Sequence, residues 1–162
     1  MTCLREGRQP EIQRTGHGDF FALHDLLHYS VETTLGFNEA FFGLLASGWS
    51  FDNFTRHDDP RYRRPPAQSI IAEHLVGILS LHFADPASED EGLLELVTEE
   101  INRDFAAAAA NCGAVPILTA ADVGAIRRKF DELAQRWMEM PLGEHLELRF
   151  PPTERIKESD AS

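Results

Sequence analysis

His24, Asp25, His28 and Glu32 crowd into one segment, FFALHDLLHYSVETTLGF (20–37), and are the strongest chemical signal in the chain. At about 100° per residue they project at roughly 0°, 100°, 40° and 80°, so a helix carries two imidazoles and two carboxylates in one sector. Histidines at i and i+4 stand about 6 Å apart along the axis, close enough for their ring nitrogens to converge on one transition-metal ion. Glu32 lies about 12 Å from His24 along the axis, so it orients His28, ligates from a distorted helix, or acts as a base. A closed site needs a ligand from a second segment. Glu73 and His74 in SIIAEHLVG are the candidates, with His82 and Glu39 behind them. Adjacent residues point about 100° apart on a helix, so only one of Glu73 and His74 faces the first helix. Taken alone, His74 on its apolar stripe reads as a hydrogen-bonded core histidine.

The spacing HDxxH imitates the HExxH pattern of zinc hydrolases, with Asp25 where the general-base Glu stands. Asp is one methylene shorter, so it holds a water differently or serves as a partner to an imidazole. The expectation is a divalent-metal site, zinc first, on His24, His28, Glu73 and His74, with Asp25 or Glu32 accepting the proton of a bound water in a hydrolytic reaction. Two other readings of these residues stay open: a solvated face with ordinary i,i+3 and i,i+4 contacts, and a metal-free polar network that responds to pH. A different class of function also stays open, a non-enzymatic helical module that binds a small molecule or a protein through a Phe-rich surface including Phe37, Phe41 and Phe42. Arg56, Arg61, Arg63 and Arg64 beside Tyr62 form either a solvated loop paired with acids or a clamp for an anionic ligand at a pocket mouth. The sequence has no Gly-rich phosphate loop, no nucleophile elbow and no cysteine cluster. Cys3 and Cys112 read as plain thiols.

The elements that must position these residues follow from periodicity. TCLRE and EIQRT (2–6 and 11–15), flanking Gly7 and Pro10, predict a small hairpin. Asp19 is a cap for a helix with Phe20, Leu23, Leu27, Val31 and Leu35 on its apolar face and Gly36 as its stop. That face adjoins the His/Asp/Glu sector, which can therefore line a pocket. FNEAFFGLLAS predicts a short second helix ending at Gly48, and 50–66 a long surface loop. Ile70, Ile71, Leu75, Ile78, Leu79 and Phe83 predict a central helix over 67–83. Ser88 and Glu91 start a long helix that Gly113 stops, its FAAAAANC stretch rich in strong helix formers; Thr119 and Asp122 start the last helix, which Pro141 closes. HLELRF (145–150) alternates Leu146, Leu148 and Phe150, predicting a strand that pairs with the N-terminal hairpin. The fold class is α+β, mainly α: one globular domain over 1–152 with a small antiparallel sheet from the N-terminal hairpin and the C-terminal strand, then a polar tail over 153–162.

Composition bounds the function. A chain of 162 residues, 43% hydrophobic with 11 Phe, is long enough and apolar enough for one buried core. Its 15 basic and 27 acidic residues give a formal charge of -12, which repels phosphate backbones and anionic lipid, so neither nucleic acid nor a membrane surface is an expected partner. The longest apolar runs fall short of the ~18 residues that span a bilayer, and MTCLREGRQ lacks the apolar stretch of a secretory signal, which points to the cytoplasm. A homo-oligomer stays open.

TCLRE, FFALHDLLHYSVETTLGFNEAFFGLLASGW, AEHLVGIL and PLGEHLELRFP together resemble a family of small uncharacterised bacterial proteins over most of the chain, which implies that these blocks share one domain. A more distant similarity is to ubiquinone-biosynthesis proteins whose zinc motif is HDxxH followed by Glu after eleven residues. His24, Asp25 and His28 match it, whereas Glu39 follows after ten residues and Glu32 after three. The HD phosphohydrolases also use an adjacent His-Asp pair to hold metal, but they take a further histidine from a separate upstream helix, and His17 lies too near His24 for that.

Overall fold

The computed structural model describes residues 1–12, 18–54, 58–83, 91–112 and 116–151, with the side chains of 18–20, 91–93 and 107–112 outside that description. Strands β1 (Thr2–Cys3) and β2 (Glu11–Ile12) pair antiparallel, Thr2 opposite Ile12 and Cys3 opposite Glu11. Helices α1 (Gly18–Leu35), α2 (Phe41–Ala46), α3 (Ala67–Phe83), α4 (Glu91–Cys112) and α5 (Ala120–Met138) follow, with a 3₁₀ turn at Phe51–Phe54. The protein is thus mainly helical with a small antiparallel sheet, as its periodicity predicts.

The four long helices form a ring in which α1 packs on α3 and α5, and α4 closes against the same two. Their apolar faces meet in a shared core of Leu27 and Val31 from α1, Ile71, Leu75 and Leu79 from α3, Val97 and Ile101 from α4, and Val123 and Ile126 from α5. Burying branched side chains of this kind contributes about 1.5–3 kcal/mol each, and these contacts fix how α1 faces α3.

Two of the predicted helix end signals are realised as expected. Gly36 ends α1 at φ +67°, and the N–H of Phe37 donates to the Glu32 carbonyl at 2.8 Å, the six-residue bond of a Schellman cap. Thr119 and Asp122 form the expected capping box, each side chain accepting from the other's backbone N–H. Helix α1 begins at Gly18, one residue before the expected cap Asp19, and α2 begins at Phe41 rather than Phe37. Phe37 is instead a core residue, 6% exposed, so it offers no docking surface. The remaining hairpin residues 13–15, His17, Arg56, Ser88, Gly113 and the tail lie outside the described residues, as does the Cys112 side chain.

The expected C-terminal strand is not formed. Among the described residues the sheet has two strands, and residues 145–150 form none. Their alternation is still realised: Leu146, Leu148 and Phe150 are half-buried while His145, Glu147 and Arg149 are exposed. The segment packs on helices instead of a sheet edge. The Tyr29 hydroxyl donates to the Arg149 carbonyl at 2.8 Å, and the Phe150 ring lies 6.4 Å from Tyr29 and 6.3 Å from Phe42. The hairpin is held elsewhere, because Arg5 donates to the carbonyls of Leu45 and Trp49 and pairs with Glu11, fastening it to the end of α2.

Candidate metal centre

Helix α1 carries His24, His28 and Glu32 down one side, progressively deeper. His24 is half-buried, His28 is 3% exposed and Glu32 is fully enclosed. The two imidazoles meet edge to face with centroids 4.7 Å apart. Helix α3, packed alongside, brings Glu73 to the same place, and one ligand atom from each of His24, His28 and Glu73 lies within 4.8 Å of the others. His28 Nε2 and Glu73 Oε2 are 3.5 Å apart. Two ligand atoms on one zinc at 2.0–2.1 Å in tetrahedral geometry stand about 3.3 Å apart, so this pair is already near coordination distance.

Behind His28, its Nδ1 faces Glu32 Oε1 at 3.7 Å, and neither atom has a hydrogen bond among the described residues. Both contacts of His28 exceed hydrogen-bond length, so charge attraction holds them. The other oxygen of Glu32 is committed: the N–H groups of Phe42 (2.9 Å) and Gly43 (3.1 Å) donate to Oε2. Helix α2 has Ala40 at its N-cap with no side-chain cap, so Glu32, from another helix, supplies the acceptor its first turn lacks. The expected role of Glu32 as a base thus meets a physical obstacle. An enclosed carboxylate with one oxygen on α2 and the other on His28 cannot reach a water on the open side of the site; it positions His28.

The electrostatics follow from this nesting. Burial pulls the His28 pKa down, but the carboxylates of Glu32 and Glu73 on either side outweigh it and lift the pKa to about 9. Burial lowers His24, reinforced by the charge of His28 and opposed by Glu73. Contact with His28 lowers Glu73 against the effect of burial. Asp25, half-buried beside the cluster, is raised by burial, partly offset by His28.

The other sequence candidates stand apart. His74 is exposed and outside the three-ligand group, because α3 turns Glu73 toward α1 and its neighbour away. It is not a core histidine either. His82 pairs with Glu100 of α4 at 3.3 Å, and Glu39 is an exposed residue whose N–H donates to Gln68. Arg61 is paired with Asp52 and Asp59, and Arg63 stacks over Trp49 at 5.5 Å, so the described part of the basic loop is largely satisfied locally. Sequence reading missed Glu32 as the cap of α2, although a helix opening on Ala40-Phe41-Phe42 with no polar cap already signals that an acceptor must come from elsewhere. It also missed Phe41, whose ring lies 6.3 Å from His28 and shields one side of it.

Among the described residues no helix is long and apolar enough to cross a membrane. Comparison with family models, with curated proteins and with solved structures yields no match, which leaves the geometry of the site as the ground for assigning a role.

Proposed function

We propose that this is a divalent-metal-binding protein, with His24 and His28 of α1 and Glu73 of α3 as ligands and zinc as the favoured ion. The observation that carries the reading is the convergence of these three ligand atoms, from two helices, within 4.8 Å. Two neutral imidazoles and one carboxylate are the ligand set of many catalytic zinc sites, which keep a fourth position for water. The carboxylate of Glu32 behind His28 adds the outer partner such sites use to fix an imidazole: with the proton on Nδ1, Nε2 faces the ion.

The chemistry that fits is hydrolysis, in which the ion lowers the pKa of a bound water. Asp25, next to His24 in sequence and half-buried, is the residue we assign to take up that water's proton. Glu73, with 59% of its side chain exposed, keeps the site open to solvent. A reducing cytoplasm is the setting we propose, in keeping with the free thiol of Cys3.

Elemental analysis of protein purified without a histidine tag tests the proposal. The expected result is about one zinc per chain in the wild type and none in a His24→Ala, His28→Ala double variant; equal trace metal in both rules the site out. Asp25→Asn should keep the zinc and lose at least about a hundredfold in hydrolysis of an activated ester.

A further inference from the structure

Between α2 and α3 lies a cleft of about 280 Å³. The rings of Phe41, Phe54 and Tyr62 and the side chain of Ile70 give it apolar walls, and among the described residues Glu73 is the one charged group in its lining. Phe41 and Phe54 touch, with centroids 5.0 Å apart, so they make one continuous wall. Phe41 also lies 6.3 Å from His28 and stands between the cleft and the imidazoles, so an occupant meets Glu73 and neither histidine.

The charges around that space select a cation. Glu73 turns Oε2 toward His28 at 3.5 Å, but 59% of its side chain is exposed, which leaves the carboxylate open to a second partner. Behind it, the carboxylates of Asp25, Glu32 and Glu73 outnumber the one imidazolium of His28, and the chain as a whole carries -12. The basic loop does not reverse this balance. Arg61 is paired with Asp52 and Asp59, neither Arg63 nor Arg64 lines the cleft, and the Arg63 guanidinium lies over Trp49 at 5.5 Å. That contact shows the same aromatic cluster accepting positive charge, since the Trp49 ring is 5.3 Å from Phe54, and ring faces attract cations. The volume is just under the ~300 Å³ at which pockets for drug-sized molecules begin, so the occupant has a few carbons only.

We infer that the cleft binds a short alkylammonium ion, its head on the Glu73 carboxylate and its carbon chain against Phe41, Phe54 and Ile70. Glu73 carries its charge with or without an ion beside His28, so this site stands independently of the metal centre. Backbone amide NMR of the full chain, with metal content measured separately, reads binding residue by residue. Butylammonium should shift the amides of residues 69, 70 and 73 saturably, at concentrations about tenfold or more below those 1-butanol requires, because only the ammonium makes a charge-assisted hydrogen bond and a contact with the ring faces. Butyrate, of the same size and opposite charge, should leave them unmoved. Glu73→Gln should bring butylammonium down to the level of butanol. Ile70→Trp, which fills the cleft from an exposed wall position, should abolish the response to both while circular dichroism shows the fold kept. Equal response to butylammonium and butanol in the wild type, a preference that survives in Glu73→Gln, or shifts spread over the acidic surface instead of confined to the cleft overturns the inference, whatever the metal content proves to be.

Discussion

His28 sits between two carboxylates, Glu32 on its Nδ1 side and Glu73 on its Nε2 side, and most of what the site can do follows from that position. In the metal-free protein the ring keeps its proton up to about pH 9, against an ordinary 6.5. A folded-state pKa above the unfolded value means stability that is fully present below about pH 6.5 and is lost as pH rises through about 9. The melting temperature of the metal-free protein should therefore fall across that window. Glu32→Gln should flatten the fall and lower the His28 pKa, as read by NMR titration of the imidazole, at a cost of about 1–3 kcal/mol from the weakened acceptor. The same proton opposes the ion. Zinc must displace it, so apparent zinc affinity should climb about tenfold per pH unit below pH 9, with proton release measurable by calorimetry in two buffers. An affinity that is flat over this range would mean that His28 is not a ligand.

Helix α2 shows how one side chain can serve two elements. It has six residues and no cap of its own, so it depends on Glu32 for its first turn and on a close approach to the chain before it. A Cβ at Gly43 would meet the carbonyl carbon and oxygen of Asn38 at 2.4 Å, which no side-chain shift relieves because both are backbone atoms. Gly43→Ala should therefore push α2 away, break the bond from its N–H to Glu32 and cost at least about 2 kcal/mol in urea unfolding. It should also loosen His28, so zinc affinity should fall even though Gly43 touches no ion. Thr119→Ala at the start of α5 is the contrasting case. Loss of that capping box should cost about 1 kcal/mol, a fall in melting temperature of about 2–4 °C, with zinc affinity unchanged.

Across the whole molecule, the proposed ion would bridge α1 and α3, two neighbours in the ring of four helices that also meet in the shared core. Binding to the folded state alone should raise its stability by about 2.7 kcal/mol at a zinc concentration a hundred times Kd, visible as a rise in melting temperature. A chelator should reverse the rise, and the His24→Ala, His28→Ala variant should show neither effect. Phe41 covers His28 from the side of α2, while Glu73 stands on the outer surface of α3.

Periodicity and end signals act over a turn or two of chain, and at that range the reading from residues alone was dependable. It located α3 over its full length, the Gly36 stop of α1, the capping box of α5 and the i, i+4 pair His24 and His28. Alternation in 145–150 correctly marked which side chains turn inward, but a pattern of faces does not name the partner, and that segment found helices where a strand was expected. The choice of Glu73 over His74 depended on the rotation of α3 about its own axis, set by how Ile71, Leu75 and Leu79 pack against three other helices. The role of Glu32 depended on where α2 begins, nine residues away from it. Both are decided by long-range packing, whose free energy is shared among many side chains and is written in no short stretch of sequence.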